Sequence, residues 1–294
     1  MHTIRALRLP FISVSVLGFV FGSFIELTRF NFINFFLGLI SVISMHLSSN
    51  LINDYADSRS GVDWRDKRFF GFFGGSKLIQ EGLASEKKYL FMAIGFALLS
   101  FVSILILSLF KQDILPVFAC SVIFILGWSY SHWPLKFSYR MFGELVIFIL
   151  FGPATVMGAY YIQTGIFPDL KSFILSLPFG LFTAAILFAN QIPDYNEDIL
   201  SRKINLVYFT GPKRAYNIYY ALVFLSFLSI DVAVSMRYIN ILSLSANLVL
   251  ILNIKSGKIL RLFYDQKEKM LESSRLTVLA QNIMGIILII GVLL

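Results

Sequence analysis

Residues 48–63 read SSNLINDYADSRSGVD. They follow an almost uninterrupted run of hydrocarbon side chains and precede a basic, glycine-rich loop. Asn50, Asn53, Asp54, Asp57 and Asp63 thus stand at the mouth of an apolar helix. Carboxylates beside a bilayer are expensive to desolvate, and those found there mark ion or substrate sites by default. The bland alternative is a satisfied helix end.

The rest of the chain makes the bilayer the relevant solvent. Of its 294 residues 57% are hydrophobic and only 14% charged, against about 25% charged in soluble domains. Mean hydropathy is +0.76. Apolar runs long enough to cross about 30 Å of hydrocarbon recur at 10–28, 32–52, 88–110, 113–131, 142–163, 172–191, 214–234, 236–254 and 276–293. The expectation is an all-α polytopic membrane protein, about nine transmembrane helices in a bundle around a central cavity. Arg5 and Arg8 precede the first run as in a secretory signal, but no small-residue cleavage site follows, so it reads as a retained helix.

Basic residues orient the bundle. With nine spans, the amino terminus and the 2–3, 4–5, 6–7 and 8–9 loops share a side. That side carries nearly all the Lys and Arg, while the other keeps only Arg29, Lys111, Lys171 and Arg237. The asymmetry places the basic loops, and both acidic motifs, on the cytoplasmic face of the cell membrane. The net charge of +8 therefore reports topology. With no base-reading module, nucleic acid is a poor partner. The single cysteine, Cys120, excludes an intramolecular disulfide and a thiolate metal cluster. His2, His46 and His132 are too scattered for a histidine site, and His46 reads as a hydrogen-bonding core residue.

The opening motif has an echo. SNLINDYADS at 49–58 aligns without gaps on ANQIPDYNED at 189–198, matching Asn50 with Asn190, Ile52 with Ile192, Asp54 with Asp194 and Tyr55 with Tyr195. Each copy ends an apolar run on the basic side, which suggests two pseudo-repeats, about 10–131 and 142–254, plus a final helix at 276–293, in one domain spanning 1–294. Repeats in membrane proteins often build their site at the repeat interface. Asn50, Asp54 and Asp57 fall at i, i+4 and i+7, and Asn190, Asp194 and Asp198 at i, i+4 and i+8. Each set shares one side of a helix if the helix continues, and Pro193 threatens that continuity.

Facing carboxylates repel by roughly 4 kcal/mol per pair at about 4 Å and an effective dielectric near 20, so such a cleft demands cations. Aspartates without His or Cys are hard oxygen donors, which points to Mg²⁺ or Ca²⁺. Mg²⁺ leaves positions for phosphate oxygens, and Arg59, Arg68, Lys77, Lys136 and Lys203 offer further charge. Acidic helix ends and basic loops on one face describe a metal-bridged diphosphate site.

These residues resemble the UbiA superfamily of intramembrane prenyltransferases, which pairs an Asn-Asp-x-x-Asp motif after the second helix with an Asp-x-x-x-Asp motif after the sixth. Here they read NDYADSRSGVD from Asn53 and DYNED from Asp194, and the resemblance covers essentially the whole chain. Where the general pattern has an Asp four residues after Asp57, this sequence has Gly61 and then Asp63. That variant is similar to the 1,4-dihydroxy-2-naphthoate, or menaquinone, branch, as are GELVIFILFGPATVMGAYYIQTG at 143–165 and GGSKLIQEG at 74–82, with its basic Lys77. The segment SRKINL at 201–206 lacks a Gly-Lys pair often seen there.

The resemblance implies prenyl transfer from an isoprenyl diphosphate to an aromatic acceptor, with Mg²⁺ held by Asp54, Asp57, Asp194 and Asp198. It implies Arg59, Lys77, Lys136 and Lys203 on the diphosphate. Asn50, Asn190 and Tyr130 would position the reactants, and Asn53, Asp63 and Tyr139 would serve the acceptor or loop geometry. Among the aromatics Tyr130, Tyr139, Tyr160 and Tyr161 rank first for the substrate corridor, and Gly152-Pro153 is expected to kink the fifth helix. Other acceptors within the superfamily are 4-hydroxybenzoate, homogentisate, haem and a glycerol lipid. A cation transporter would favour acids near the middle of its spans, a scaffold leaves the paired spacing unexplained, and the compact Asp-Gly-x-x-Ala-Arg signature of phosphoalcohol transferases is absent. Oligomeric state and prenyl length are left open.

Overall fold

A computed structural model describes residues 2–294, with side chains described from Ile4 onward. Its helices are α1 (His2–Ala6), α2 (Ile12–Phe24), α3 (Phe32–Ser60), α4 (Glu86–Lys111), α5 (Leu115–Trp128), α6 (Gly143–Ile149), α7 (Thr155–Thr164), α8 (Leu170–Gln191), α9 (Tyr195–Leu200), α10 (Leu206–Thr210), α11 (Pro212–Ser235), α12 (Leu250–Leu262) and α13 (Lys267–Leu293). Among the described residues there is no β-strand, only an isolated bridge between Arg140 and Ile204.

Among the described residues, six segments are long and apolar enough to cross a membrane: α3, α4, the composite 143–164, α8, α11 and α13. Leu9–Phe24 and Leu115–Trp128 are shorter apolar helices. The expected span at 236–254 is built differently, as a 3₁₀ stretch over Ile241–Val249 running into α12. The ends follow local chemistry. Asn31 and Ser85 cap α3 and α4 by accepting from the backbone amides of Asn34 and Lys88, and Asp169 caps α8 through Ser172. Such caps satisfy amides that hydrocarbon cannot.

Large side chains such as Phe32, Phe91, Leu98, Phe110 and Phe224 point outward, as a lipid-facing surface requires. Between helices, association depends on close packing and hydrogen bonds, because lipid is as apolar as leucine. α4 accordingly turns Ala93, Ala97 and Ser100 inward, at helical spacing, onto α3. Ser41 and Ser100 share a hydrogen bond of 2.8 Å, and the Ser48 hydroxyl donates to the carbonyl of Ala93 at 2.7 Å. The largest core cluster joins α8, α11 and α13 around Phe179, Phe182, Tyr219 and Phe227.

The kink expected at Gly152-Pro153 takes the form of a π turn, Leu150–Ala154, between α6 and α7. Pro153 lacks an amide to donate, and the Thr155 hydroxyl serves the Leu150 carbonyl at 2.7 Å. Gly152 meets Gly180 of α8 backbone to backbone, where a Cβ would lie 2.9 Å from the Gly180 Cα.

Candidate active site

α3 contributes a continuous lining face. Gly38, Val42, Met45, His46, Ser49, Asn50, Asn53 and Asp57 all border one cavity of about 350 Å³. From Asn50 to Gly38 that face climbs about 18 Å along the helix. Its polar end lies at the last turns of α3. Its apolar stretch is bordered by Phe19, Cys120, Ile123, Phe151, Ala154 and Gly158. Phe19 and Ile162 press on Gly38 near the far end. The Tyr161 hydroxyl donates to the Asp113 carboxylate there.

The second motif reaches the same polar end by another route. α8 stops at Gln191, residues 192–194 turn, and α9 restarts at Tyr195. Asn190, Asp194, Glu197 and Asp198 border the cavity opposite Asn53 and Asp57. The i, i+4, i+8 alignment on one straight helix is therefore not realised, since Pro193 lies in the break. The residues converge nonetheless.

The segment 62–84 straps the two motifs together. The Gly74 amide donates to Asp194 Oδ2 at 3.0 Å, and the Ser76 amide to Asp54 Oδ2 at 3.2 Å. Lys77 is buried, and its Nζ donates to Asp63 Oδ1 at 2.8 Å. Gly75 has φ +79°, and a Cβ on it would come within 2.9 Å of Asp63 Oδ2. Only glycine takes that position without strain.

Lys203 ties the halves directly, 3.3 Å from Asp57 Oδ2 and 3.8 Å from Asp198 Oδ1. Tyr139 donates to Asp57 Oδ1 at 2.9 Å, and the Asn205 side-chain Nδ2 to Asp198 Oδ2 at 2.8 Å. Burial pushes Asp198 up to about 8, with Asp194 and Asp57 adding to the rise and Lys203 opposing it. Burial likewise raises Asp194, and lifts Asp63 to about 7 with help from Asp57 and against Lys77. Lys203 stays charged: burial favours its neutral form, but Asp57 and Asp198 raise it well above the usual lysine range. Carboxylates raised by burial and neighbouring charge, and bordering a cavity, mark a candidate functional site.

The expected residues divide into two groups. Asn50, Asn53, Asp57, Asp63, Lys77, Tyr130, Asn190, Asp194, Asp198 and Lys203 border the cavity. Asp54 does not: it lies one residue, or about 100°, beyond Asn53, and it is paired with Arg8. Arg59 is exposed and donates to the Tyr55 hydroxyl. Lys136 stands over the Tyr139 ring at 5.3 Å, outside the cavity, as does Tyr139 itself. Tyr161 borders the cavity, whereas Tyr160 belongs to the main core. His46 bonds to Ser15 and meets Phe151 edge-on, as a core histidine should, while also bordering the cavity.

Sequence reasoning passed over Arg8, Asp66, Glu197 and Lys267, which also border the cavity. Lys267 Nζ bridges Asp66 at 3.1 Å and Glu197 at 2.9 Å, from the first turn of the last helix. Its place at the head of an apolar span was the available signal. Among the described residues, no three acidic, histidine or cysteine side chains gather closely enough to hold a metal unaided. Hard carboxylates in ones and twos bordering a cavity suit Mg²⁺, which takes one or two protein carboxylates and completes its shell with water and phosphate.

Residues 14–280 match the family model for the UbiA prenyltransferase family. A UbiA prenyltransferase domain-containing protein 1 of Dictyostelium discoideum is 29% identical over 248 residues, 79% of this chain and 72% of that one. A 1,4-dihydroxy-2-naphthoate octaprenyltransferase of Mycobacterium tuberculosis is 29% identical over 187 residues, 63% of this chain and 61% of its own length. The apo structure of a UbiA homolog from Aeropyrum pernix K1 superposes with a TM-score of 0.74 at 16% identity, over 95% of this chain and 97% of that chain. A UbiA homolog from Archaeoglobus fulgidus bound to GPP and Mg²⁺ gives 0.65 at 17% identity, over 98% and 99%.

Proposed function

Because the chain belongs to the UbiA prenyltransferase family, we propose that it moves an isoprenyl group from an isoprenyl diphosphate to 1,4-dihydroxy-2-naphthoate, on the cytoplasmic side of the membrane. One observation carries the reading. A single cavity joins a polar end, where Asp57, Asp194, Asp198, Lys77 and Lys203 converge, to an apolar stretch inside the bilayer-spanning helices. A diphosphate with a hydrocarbon tail has that division of chemistry. The naphthoate acceptor is supported by the mycobacterial relative's name and by the Gly61/Asp63 variant of the first motif.

In this reading Asp57 on one side, and Asp194 with Asp198 on the other, would each offer Mg²⁺ one or two carboxylates, and the metal would supply charge neutralisation to the departing diphosphate. Lys77 and Lys203 donate to the diphosphate oxygens as the C–O bond breaks and its electron pair leaves on oxygen. Such donors act most strongly where charge develops in a site shielded from water. The apolar walls keep water from the allylic cation until the acceptor's ring carbon attacks it, after which the proton on that carbon is lost to the released diphosphate and the ring is aromatic again. Tyr130, whose hydroxyl burial holds protonated, and Asn50, with an unpartnered Nδ2, orient that ring. The basic ends of the bundle support the cytoplasmic assignment.

The test is prenyl transfer by the purified protein in detergent, with 1,4-dihydroxy-2-naphthoate and a series of isoprenyl diphosphates, with and without Mg²⁺. A Mg²⁺-dependent prenylated product bears the reading out. Product only with another aromatic acceptor keeps the site and removes the naphthoate assignment. No product with any acceptor, from folded protein, overturns it.

A further inference from the structure

Arg8 precedes α2 with a left-handed backbone, φ 48°, which a non-glycine residue rarely holds outside functional or tightly constrained positions. Its guanidinium borders the cavity. One nitrogen, Nη2, pairs with Asp54 and reaches Asn53 Oδ1 at 3.5 Å. Its Nε is buried and has no hydrogen-bond partner among the described residues. Gly75 lets the strap close over the group, since a Cβ there would lie 3.3 Å from Nη2.

Asp54 has the complementary arrangement. Its side chain is 3% exposed, Arg8 takes Oδ1, and the Ser76 amide takes Oδ2. It is the one motif carboxylate that does not border the cavity. A carboxylate with both oxygens engaged fixes the plane of the arginine and leaves a donor edge open. A rigid guanidinium fork with an open, buried N–H is matched by carboxylate or phosphate oxygens, and leaving that donor unmet is costly.

We propose that Arg8 binds an anionic oxygen of a substrate, and that Asp54 is its positioning residue rather than a metal ligand. The inference rests on the prenyl-transfer reading, in which two molecules carry that chemistry: the diphosphate donor and the carboxylate-bearing acceptor.

Arg8→Gln, Arg8→Lys, Asp54→Asn, Asp57→Asn and the Arg8→Gln/Asp54→Asn double variant are compared as full-length protein in detergent, with folding checked by thermal melting. Mn²⁺ binding is followed by electron paramagnetic resonance without substrate. Asp54→Asn and Arg8→Gln stay within about threefold of the parent, while Asp57→Asn weakens binding at least tenfold. In turnover, Arg8→Gln raises the KM of one substrate at least tenfold with the other unchanged, and Arg8→Lys, which keeps charge without the fork, falls between. A rise confined to the donor assigns the diphosphate. A rise confined to the acceptor, and absent with 1,4-naphthohydroquinone, assigns the carboxylate. The double variant is no worse than Arg8→Gln alone, because Asp54 acts through Arg8. Mn²⁺ binding lost equally in Asp54→Asn and Asp57→Asn, multiplying losses in the double variant, or unchanged KM values in Arg8→Gln would each overturn the proposal. If the parent prenylates nothing, the function fails, yet the Mn²⁺ series still ranks Asp54 against Asp57.

Discussion

The two acidic motifs arrive at one site on different backbones. The first rides on α3, an unbroken helix of 29 residues that ends at Gly61 in a left-handed cap. Its presentation is set by helical geometry, so which residue faces the cavity follows from angle alone. The second sits across a break: α8 ends, three residues turn, and α9 begins. There Asp194 and Asp198 are held by partners, through the Gly74 amide, Asn205 and Lys203. One half is aimed by its own helix and the other by its neighbours. The same chemistry is therefore exposed to different kinds of damage.

The harshest test removes the carboxylates. Asp57→Asn and Asp194→Ala should each lower turnover by about 10³-fold, the scale at which lost transition-state charge stabilisation is felt, while membrane insertion and melting behaviour persist. Turnover near the parent level in either would break the symmetry of function between the halves.

The partners that aim the second half come next. Asn205→Ala should lower turnover by about tenfold, because Asp198 loses a donor at 2.8 Å. Pro193→Ala should change it by less than about threefold, because the turn is held from outside. The reverse ranking would mean that proline, not tertiary contact, sets the second motif.

Metal binding should depend on pH through that half. Asp198, raised to about 8 by burial and by Asp194 and Asp57, must lose a proton before it can hold a cation. Apparent Mn²⁺ affinity should therefore rise with pH by at most about tenfold per unit for each proton displaced, and level off above about pH 8. A flat profile between pH 6 and 9 would remove Asp198 from the cation's shell. The smallest effect lies far from both motifs. Ser41→Ala, which deletes the bond to Ser100 across α3 and α4, should cost about 0.6 kcal/mol, visible as a small drop in melting temperature with turnover intact.

The same contrast explains what could be read before any coordinates. Length and apolarity locate six spans outright because hydrocarbon demands about 20 such residues. The span expected at 236–254 differs because apolar composition does not distinguish α from 3₁₀ geometry in the Ile241–Val249 stretch. Asn53, Asp57, Asp194, Asp198, Lys77 and Lys203 were legible as helix-end acids and nearby bases. Asp54 lies off the cavity that Asn50, Asn53 and Asp57 border, because spacing from Asn50 gives a face but not its centre. Arg8 and Lys267 come from sequence-distant termini, and no local pattern joins positions 8, 54 and 267. Arg59 and Lys136 share their composition with Lys77 and Lys203, which border the cavity, and differ only in direction.

Loops of membrane proteins commonly tolerate gains and losses of residues, because few of their backbone groups are committed elsewhere. The strap is an exception. Two amides only two residues apart, those of Gly74 and Ser76, are spoken for by carboxylates 140 positions apart in the chain, on α3 and at the head of α9. The segment thereby works as a ruler whose divisions are single residues. Over evolutionary time it should drift in the identity of its exposed positions but keep its length between Asp63 and Lys77. An epitope tag placed there would uncouple the two motifs.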